Sequence, residues 1–418
     1  MEQLVVTGGP VLSGSVEVFG AKNAVLKEMP VMLLAAGQHK LSNVPDIIDV
    51  DLMTQVLTHI GATCTYVDHT LTVEVPDQLH AEAPLELVRQ MRASIIVLGP
   101  LLARTGSARV AFPGGDDLGV RPIDMHLDSL RKMGAEFELE HGVLQGRIDG
   151  RLQGASIDLD FPSVGATENI IMAAVLADGQ TTISNAAREP EIQDICSQLT
   201  AMGAKISGSG TGTIVIDGVP ALHPTQHSVI GDRLEAGTYA VAGAITGGEV
   251  TVTGCDPQTL RMELRKLEEA GCEVERFVDS FSILGPKRVE AIDFATLPFP
   301  GFHTDMQPQM VALLATADGT SVVTENLYDA RFRYIGELAR MGADVSNEWQ
   351  HAVIRGVPQL SGCPVLAFDI RAGAALVLAG LAADGYTTIG DIHHIDRGYE
   401  DIDGRLRTLG ADITRVQP

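Results

Sequence analysis

The strongest constraint on this chain is a spacing. Six times an amphipathic stretch ends in an apolar residue, then Gly, then Ala or Cys. The glycines are Gly61, Gly134, Gly203, Gly271, Gly342 and Gly410, separated by 73, 69, 68, 71 and 68 residues, so the 418 residues divide into six units of about 70. Self-similarity at a fixed period is the mark of a repeat architecture. A second marker keeps the same beat: an apolar stretch halts at Gly37, Gly106, Gly179, Gly247, Gly319 and Gly385, each followed by a strand-like run.

Each unit therefore reads as an apolar helix, a Gly stop, a β-rich run, a second helix, the Gly-Ala mark and a hairpin. In the third unit Ile192, Ile195, Leu199 and Met202 recur at three and four residues, one face of a 3.6-residue helix. The glycine after it is a helix C-terminal stop. Lys205 to Ser207 and Thr213 to Ile216 then read as two strands joined by the glycine-rich turn Gly208 to Gly212. That cluster precedes a strand, which argues against a phosphate loop.

The first helix of each unit is apolar nearly all round, as in Ile170 to Ala177, Ala236 to Ile245 and Gly373 to Ala383. Such a helix has to be buried on every side, and none reaches the roughly 20 apolar residues of a membrane span. The economical arrangement is three buried helices per bundle, with sheets and amphipathic helices outside, and two bundles in the chain. The fold class expected is α/β. An ordinary layered α/β protein is the alternative.

Thirty basic side chains face 54 acidic ones, a formal charge of −24, which disfavours nucleic acid and anionic membrane as partners unless positive charge is concentrated locally. The five cysteines, Cys64, Cys196, Cys255, Cys272 and Cys363, are odd in number and scattered. They read as reduced thiols of a cytoplasmic protein. No pair has metal-ligand spacing, no metal or cofactor is expected, and no export leader is visible before the strand-like Leu4 to Thr7.

Against that acidity the placement of basic residues is informative. Lys22, Arg92, Arg233 and Arg371 stand at or beside the starts of apolar helices, while the third and fifth open with Ser163, Gly165, Thr167 and with Thr304, Asp305. Helix starts offer free N–H groups and a positive dipole end, so a set of them carrying Arg and Lys is a receptor for anions. The expectation is a protein that clamps a polyanionic small molecule between two three-unit domains.

Seven separated blocks then carry a resemblance: Phe19-Gly20-Ala21-Lys22-Asn23-Ala24, Met91-Arg92-Ala93-Ser94, Pro113-Gly114-Gly115 with Arg121-Pro122, Ser163-Val164-Gly165-Ala166-Thr167, Asn185-Ala186-Ala187-Arg188-Glu189-Pro190, Thr304-Asp305-Met306-Gln307 and His394-Ile395-Asp396-Arg397-Gly398-Tyr399. In order and spacing the chain resembles the UDP-N-acetylglucosamine enolpyruvyl transferase family, from its first strand to its last twenty residues. The resemblance implies two inside-out α/β barrel domains of three repeats each. Residues 22–229 would form one, with the Asp116 loop as its lid; 1–21 and 230–418 would form the other, with Asp305 and Arg397, and the active site would lie in the cleft between them.

It also implies an activity in bacterial cell-wall synthesis: transfer of the enolpyruvyl group of phosphoenolpyruvate to the 3′-hydroxyl of UDP-N-acetylglucosamine, with release of phosphate. Asp305 would be the general base. Lys22, Asn23, Arg121, Arg331, Arg371 and Arg397 would contact phosphoenolpyruvate, with Lys22 and Arg397 assisting catalysis as charged donors. Asn23, Arg92, Arg121, Ser163, Val164, Gly165, Asp305 and Leu327 would contact the nucleotide sugar, joined by Asp124 and Glu189. No obligate protein partner is implied.

Asp116 stands where many family members carry a cysteine that delivers a proton to C3 of phosphoenolpyruvate. An aspartate can do so if its pKa is raised, and desolvation plus the adjacent Asp117 would push in that direction. The resemblance then implies poor inhibition by fosfomycin, which alkylates the cysteine form. Ile48 and Phe161 replace lysines of some relatives. Two rivals remain at this point: the shikimate 3-phosphate enzyme of the same architecture, whose Gly-Asn-Ala-Gly-Thr signature is absent, and a catalytically silent relative that binds the nucleotide sugar. His303 could tune Asp305 or cap its turn, and His393-His394 read as part of the Arg397 loop.

Overall fold

The computed structural model describes residues 2–112, 114, 118–119 and 122–417. Six helices open the six repeats: Lys22–Val31, Leu98–Thr105, Val164–Ala174, Arg233–Thr246, Gln307–Leu314 and Ile370–Leu381. Every residue of Ile370–Leu381 is buried, as the all-round apolar pattern requires. Two of the six are entered through 3-10 turns, Arg92–Val97 and Thr304–Met306, and Val164–Ala174 starts six residues earlier than its apolar stretch, on a serine cap. The second, amphipathic helices are Ile48–Ile60, Asp124–Lys132, Pro190–Ala201, Arg261–Glu269, Ile335–Arg340 and Ile402–Thr408.

Both sets of marker glycines have left-handed backbone, with φ between 65° and 115° at all twelve. Only glycine adopts that conformation at little steric cost, so the period seen in the sequence is a backbone requirement recurring once per unit. At Gly61 the N–H closes the end of its helix onto Thr58 O at 3.1 Å.

The strands follow one plan. In the third repeat Ser156–Asp158 lies parallel to Gln180–Ser184, which pairs antiparallel with Thr213–Asp217, which pairs antiparallel with Lys205–Ser207. Four other sheets have the same order, and a sixth, Ser107–Ala111 with Val143–Arg147 and Glu136–Glu140, has a single parallel bridge, Glu82 to Arg109, in place of the edge strand. The parallel edge strand comes from the chain that ends the preceding repeat. Gln226–Ser228, after the third repeat, returns to pair with Gly37–Ser42 of the first.

The second triplet closes in the same way, through the N-terminus. Gln3–Thr7 is the central strand of the sixth repeat, between Tyr386–Gly390 and Asp412–Val416, and Ser13–Glu17 is the parallel edge of the fourth, beside Glu249–Thr253. Among the described residues no sheet closes into a barrel. Among the described residues three sheets of three or four strands flank each set of three helices, parallel edge pairings link them in a cycle, and a seventh sheet is the short pair Leu360–Ser361 and Ala383–Asp384 in the second unit.

The chain forms two compact units, one of residues 20–112, 114 and 122–230, the other of residues 2–19, 118–119 and 231–417. Each has its own apolar core. In the second, Arg233–Thr246, Gln307–Leu314 and Ile370–Leu381 pack on one another. Among the described residues no helix is long and apolar enough to cross a membrane.

Candidate active site

The charged residues flagged by the repeat do stand at helix starts. Lys22 is the first residue of Lys22–Val31 and Arg233 the first of Arg233–Thr246; Arg92 opens a 3-10 turn, and Arg371 is the second residue of Ile370–Leu381. Asp232 and Asp369 cap their helices by accepting N–H groups of the first turn, with Asp369 Oδ1 taking Arg371 N at 2.8 Å. Lys22, Arg233 and Arg371 are nearly buried. Lys22 Nζ lies 2.9 Å from Asp49 Oδ2, in the first turn of the neighbouring amphipathic helix, so its charge is compensated where water is excluded.

In the second unit Asp305 is held from two sides. Arg331 Nη2 donates to Oδ1 at 2.9 Å and Arg371 Nε to Oδ2 at 3.4 Å. The two arginine side chains are 2% and 3% exposed, against 20% for Asp305. Burial alone would lower the pKa of Arg331, but the carboxylates of Asp305, Asp369 and Glu325 outweigh it and hold the group above its ordinary value. Arg371, buried against Tyr399 and facing Asp305 and Asp232, is likewise raised. Both guanidiniums stay charged, and the Asp305 carboxylate they hold is itself only partly exposed.

The turn beneath Asp305 is built by polar side chains. His303 Nδ1 accepts from Asp305 N at 3.0 Å, so His303 caps, and its own N–H donates to Glu263 Oε1 at 2.8 Å. Glu325 binds Thr304 Oγ1 with one oxygen and the N–H groups of Leu327 and Tyr328 with the other. Arg397, half-buried, follows the short helix His393–Asp396, in which the two histidine rings stack with centroids 4.1 Å apart. Leu118 O accepts from Ala330 N at 3.4 Å, next to Arg331.

In the first unit three consecutive nucleotide-sugar candidates, Ser163, Val164 and Gly165, stand at one helix start. Ser163 Oγ accepts from Ala166 N at 3.3 Å, and Val164 and Gly165 form the first turn, partly open to solvent. His126 packs against this turn: a Cβ on Gly165 would come within 3.2 Å of its ring. Burial, and then the charge of Arg92, push the His126 pKa down to about 4. The imidazole is neutral at physiological pH, with Nδ1 accepting from Asn169 Nδ2 at 3.1 Å, which leaves the proton on Nε2. Asn169 also accepts Gly99 N at 2.7 Å and donates to Ile95 O at 3.2 Å.

Of the remaining candidates, Asn23 is half-buried, its carbonyl accepting from Lys27 Nζ, and Arg92 Nη2 reaches Pro122 O at 3.5 Å. Asp124 is exposed at the start of Asp124–Lys132, and buried Glu189 precedes Pro190–Ala201. Ile48 and Phe161 present apolar surface, 38% and 44% exposed. Asp116, the proposed proton donor, and Arg121 lie outside the described residues. Sequence reasoning missed Asp49, His126, Asn169, Glu263 and Glu325, whose partners are distant in the chain or are backbone groups.

Among the described residues one group could offer three metal ligands, Glu28, Asp194 and His227, with ligand atoms within 4.8 Å of one another. Two of its members are bonded to one another. His227 Nε2 pairs with Asp194 Oδ1 at 2.8 Å, and Asp194 Oδ2 accepts Ile230 N at 2.9 Å. Burial, reinforced by Asp194, drives the pKa of Glu28 well up.

Comparisons with known proteins give the family of the whole chain. The profile of the EPSP synthase (3-phosphoshikimate 1-carboxyvinyltransferase) family matches residues 6–406. A UDP-N-acetylglucosamine 1-carboxyvinyltransferase of Mycolicibacterium paratuberculosis is 53% identical over 416 residues, covering 100% of both chains. Another from Corynebacterium jeikeium is 52% identical, covering 100% of this chain and 99% of that one. Among solved structures, the enolpyruvyl transferase NikO from Streptomyces tendae superposes with a TM-score of 0.90 at 28% identity, covering 100% of this chain and 99% of the other. EPSP synthase from Acinetobacter baumannii, at 19% identity and a TM-score of 0.78 over 100% of both chains, shares the fold. With its sixfold repeat, helix-start cations and full-length identity above one half, the chain belongs to the UDP-N-acetylglucosamine 1-carboxyvinyltransferases, within the wider EPSP synthase family.

Proposed function

We infer that the protein transfers the enolpyruvyl group of phosphoenolpyruvate to the 3′-hydroxyl of UDP-N-acetylglucosamine and releases phosphate, the first committed step of peptidoglycan synthesis. It is a transferase, and family membership favours this reaction over the shikimate 3-phosphate one. The observation that carries the mechanism is Asp305, part-exposed and flanked by buried Arg331 and Arg371.

Addition followed by elimination explains the residue types. Asp305 takes the proton of the 3′-hydroxyl as that oxygen attacks C2 of phosphoenolpyruvate, and Asp116 delivers a proton to C3. The resulting tetrahedral adduct loses a proton from C3 and expels phosphate, regenerating the carbon–carbon double bond. Lys22, Arg121, Arg331, Arg371 and Arg397 hold carboxylate and phosphate through charge-assisted hydrogen bonds, which matter most where charge builds up. Asn23, Arg92, Ser163, Val164, Gly165 and Leu327 seat the nucleotide sugar, with the neutral His126 backing the turn at Gly165.

The proposal requires no nucleic acid, membrane or metal. Five free cysteines support a reducing, cytoplasmic setting. The test is phosphate release on mixing both substrates. Release must need both of them and must fall by at least about a thousandfold in Asp305→Ala; full turnover in that variant removes the base assignment, and no release by the parent removes the activity.

A further inference from the structure

Glu325 is 2% exposed and follows directly on the strand Thr320–Thr324. Its carboxylate gathers four donors. Oε1 accepts from Thr296 Oγ1 at 2.9 Å, Leu327 N at 2.9 Å and Tyr328 N at 3.2 Å, while Oε2 accepts from Thr304 Oγ1 at 3.0 Å. Thr296 Oγ1 in turn accepts Asn326 N at 2.9 Å, and Asn326 Nδ2 donates to Thr296 O at 3.0 Å. Two segments thus converge on one side chain: the turn that carries Asp305, and the loop that carries Leu327 and leads to Arg331.

A buried carboxylate is expensive to desolvate, and it is offset here by the donors it satisfies, which an apolar side chain of similar volume would leave unpaired. What a carboxylate does better is fix several donors at once, because two oxygens offer about four acceptor sites in a rigid plane. Positioning of that kind matters at a reacting centre, where a displacement of about 1 Å costs on the order of a hundredfold in rate.

The geometry points to Glu325 as a positioning residue that braces the general base and the nucleotide-sugar loop against each other, so that acceptor binding and base placement share one support. This deepens the proposed reaction and rests on it. One arm runs from Oε2 through Thr304 to its chain neighbour Asp305. The other runs from Oε1 to the backbone of Leu327 and Tyr328. Glu325 itself touches no reacting atom in this scheme.

Three variants separate the arms. Thr304→Val removes the hydroxyl and keeps the shape, cutting only the first arm. Glu325→Asp keeps the charge but draws the carboxylate back by one methylene, out of hydrogen-bond reach of both arms. The third is the double variant. The readouts are kcat and KM from phosphate release, calorimetric binding of UDP-N-acetylglucosamine, and a melting curve for each protein.

Thr304→Val is expected to lower kcat about tenfold or more while KM and Kd for the nucleotide sugar stay within about twofold. Glu325→Asp is expected to lower kcat similarly and also to weaken nucleotide-sugar binding several-fold, and the double variant to match Glu325→Asp in kcat, because both cut the same arm. A folded Glu325→Asp protein with parental kcat and Kd overturns the proposal. So does Thr304→Val at parental kcat, which decides the matter alone if Glu325→Asp does not fold, and so do multiplicative kcat losses in the double variant. Failure of the underlying reaction looks different, since then Asp305→Ala turns over like the parent or the parent releases no phosphate.

Discussion

Arg331 and Asp305 form an asymmetric pair: the guanidinium side chain is 2% exposed, the carboxylate 20%, and they meet at 2.9 Å. A surface ion pair would leave both partners wet and contribute little. Here the cation is buried within the second unit, near enough to Asp369 and Glu325 to feel their charge, while the carboxylate of Asp305 keeps partial exposure. Asp305 is therefore held in orientation by groups that cannot wander.

Replacing Arg331 tests that asymmetry. In Arg331→Met the Asp305 carboxylate keeps Arg371 at 3.4 Å but loses its shorter partner. Removing one member of such a pair is expected to cost about 3 kcal/mol of stability, readable in a denaturant titration. Turnover should fall by about a hundredfold, as misplacement of a base by about 1 Å implies. Arg331→Lys keeps the charge but not the planar fork, and should lie between parent and Arg331→Met on both measures.

Gly20 offers a purely steric prediction next to the proposed catalytic lysine. A Cβ there would sit 1.9 Å from Asn43 O and 2.9 Å from Val229 Cβ, and Asn43 is itself tied to Val229 O by its amide at 2.9 Å. The backbone has no room to give, so Gly20→Ala is expected to destabilise by about 3 kcal/mol or more. Because Ala21 N bonds to Ile230 O at 2.7 Å and Lys22 comes next, whatever folds should bind phosphoenolpyruvate more weakly. An unchanged melting temperature would refute the close approach.

Glu168 makes the pH dependence of stability predictable. It lies wholly buried in Val164–Ala174, 3.7 Å from Lys27 Nζ, and burial pushes its pKa up to about 7, with Lys27 opposing and Glu191 and Glu189 adding. A carboxyl raised in the folded state binds more protons there than in the unfolded chain. Its contribution is therefore intact below the unfolded value near 4.3 and is lost as pH rises towards 7. Glu168→Gln should remove that loss, stabilising the protein by about 3 kcal/mol above pH 7 and by little at pH 4. Equal effects at both pH values would contradict the raised pKa.

These residues also mark how far the sequence could be read. The helix stops were legible because a left-handed φ can be met cheaply only by glycine, so the requirement prints itself once per repeat. Lys22, Arg371 and Asp305 were legible by position, since helix starts have known electrostatics. Asp49 beside Lys22, Asn169 beside His126 and Glu325 beneath Asp305 were not, because each acts through a contact that only folding creates. Their side chains sit in otherwise ordinary stretches, and no periodicity singles them out. The separate sheets linked by edge strands were equally hidden, as strand order follows from pairing partners and not from strand propensity.

The last prediction concerns Asp116. A proton donor to C3 must be protonated when substrate is bound, and a free aspartic acid titrates near 3.9 whereas a cysteine near 8.5 is protonated at neutral pH. If Asp116 serves, its pKa in the complex must be raised by desolvation and by Asp117. The rate should then decline as pH climbs through that raised value, and Asp116→Cys should carry the decline to higher pH. Asp116→Asn, which has the shape but no acidic proton, should lose turnover by at least a hundredfold. Fosfomycin adds an orthogonal readout, because alkylation needs a thiolate nucleophile. The parent should survive prolonged incubation and Asp116→Cys should be inactivated over time. Rapid inactivation of the parent, or full activity in Asp116→Asn, would move the proton donor to another residue.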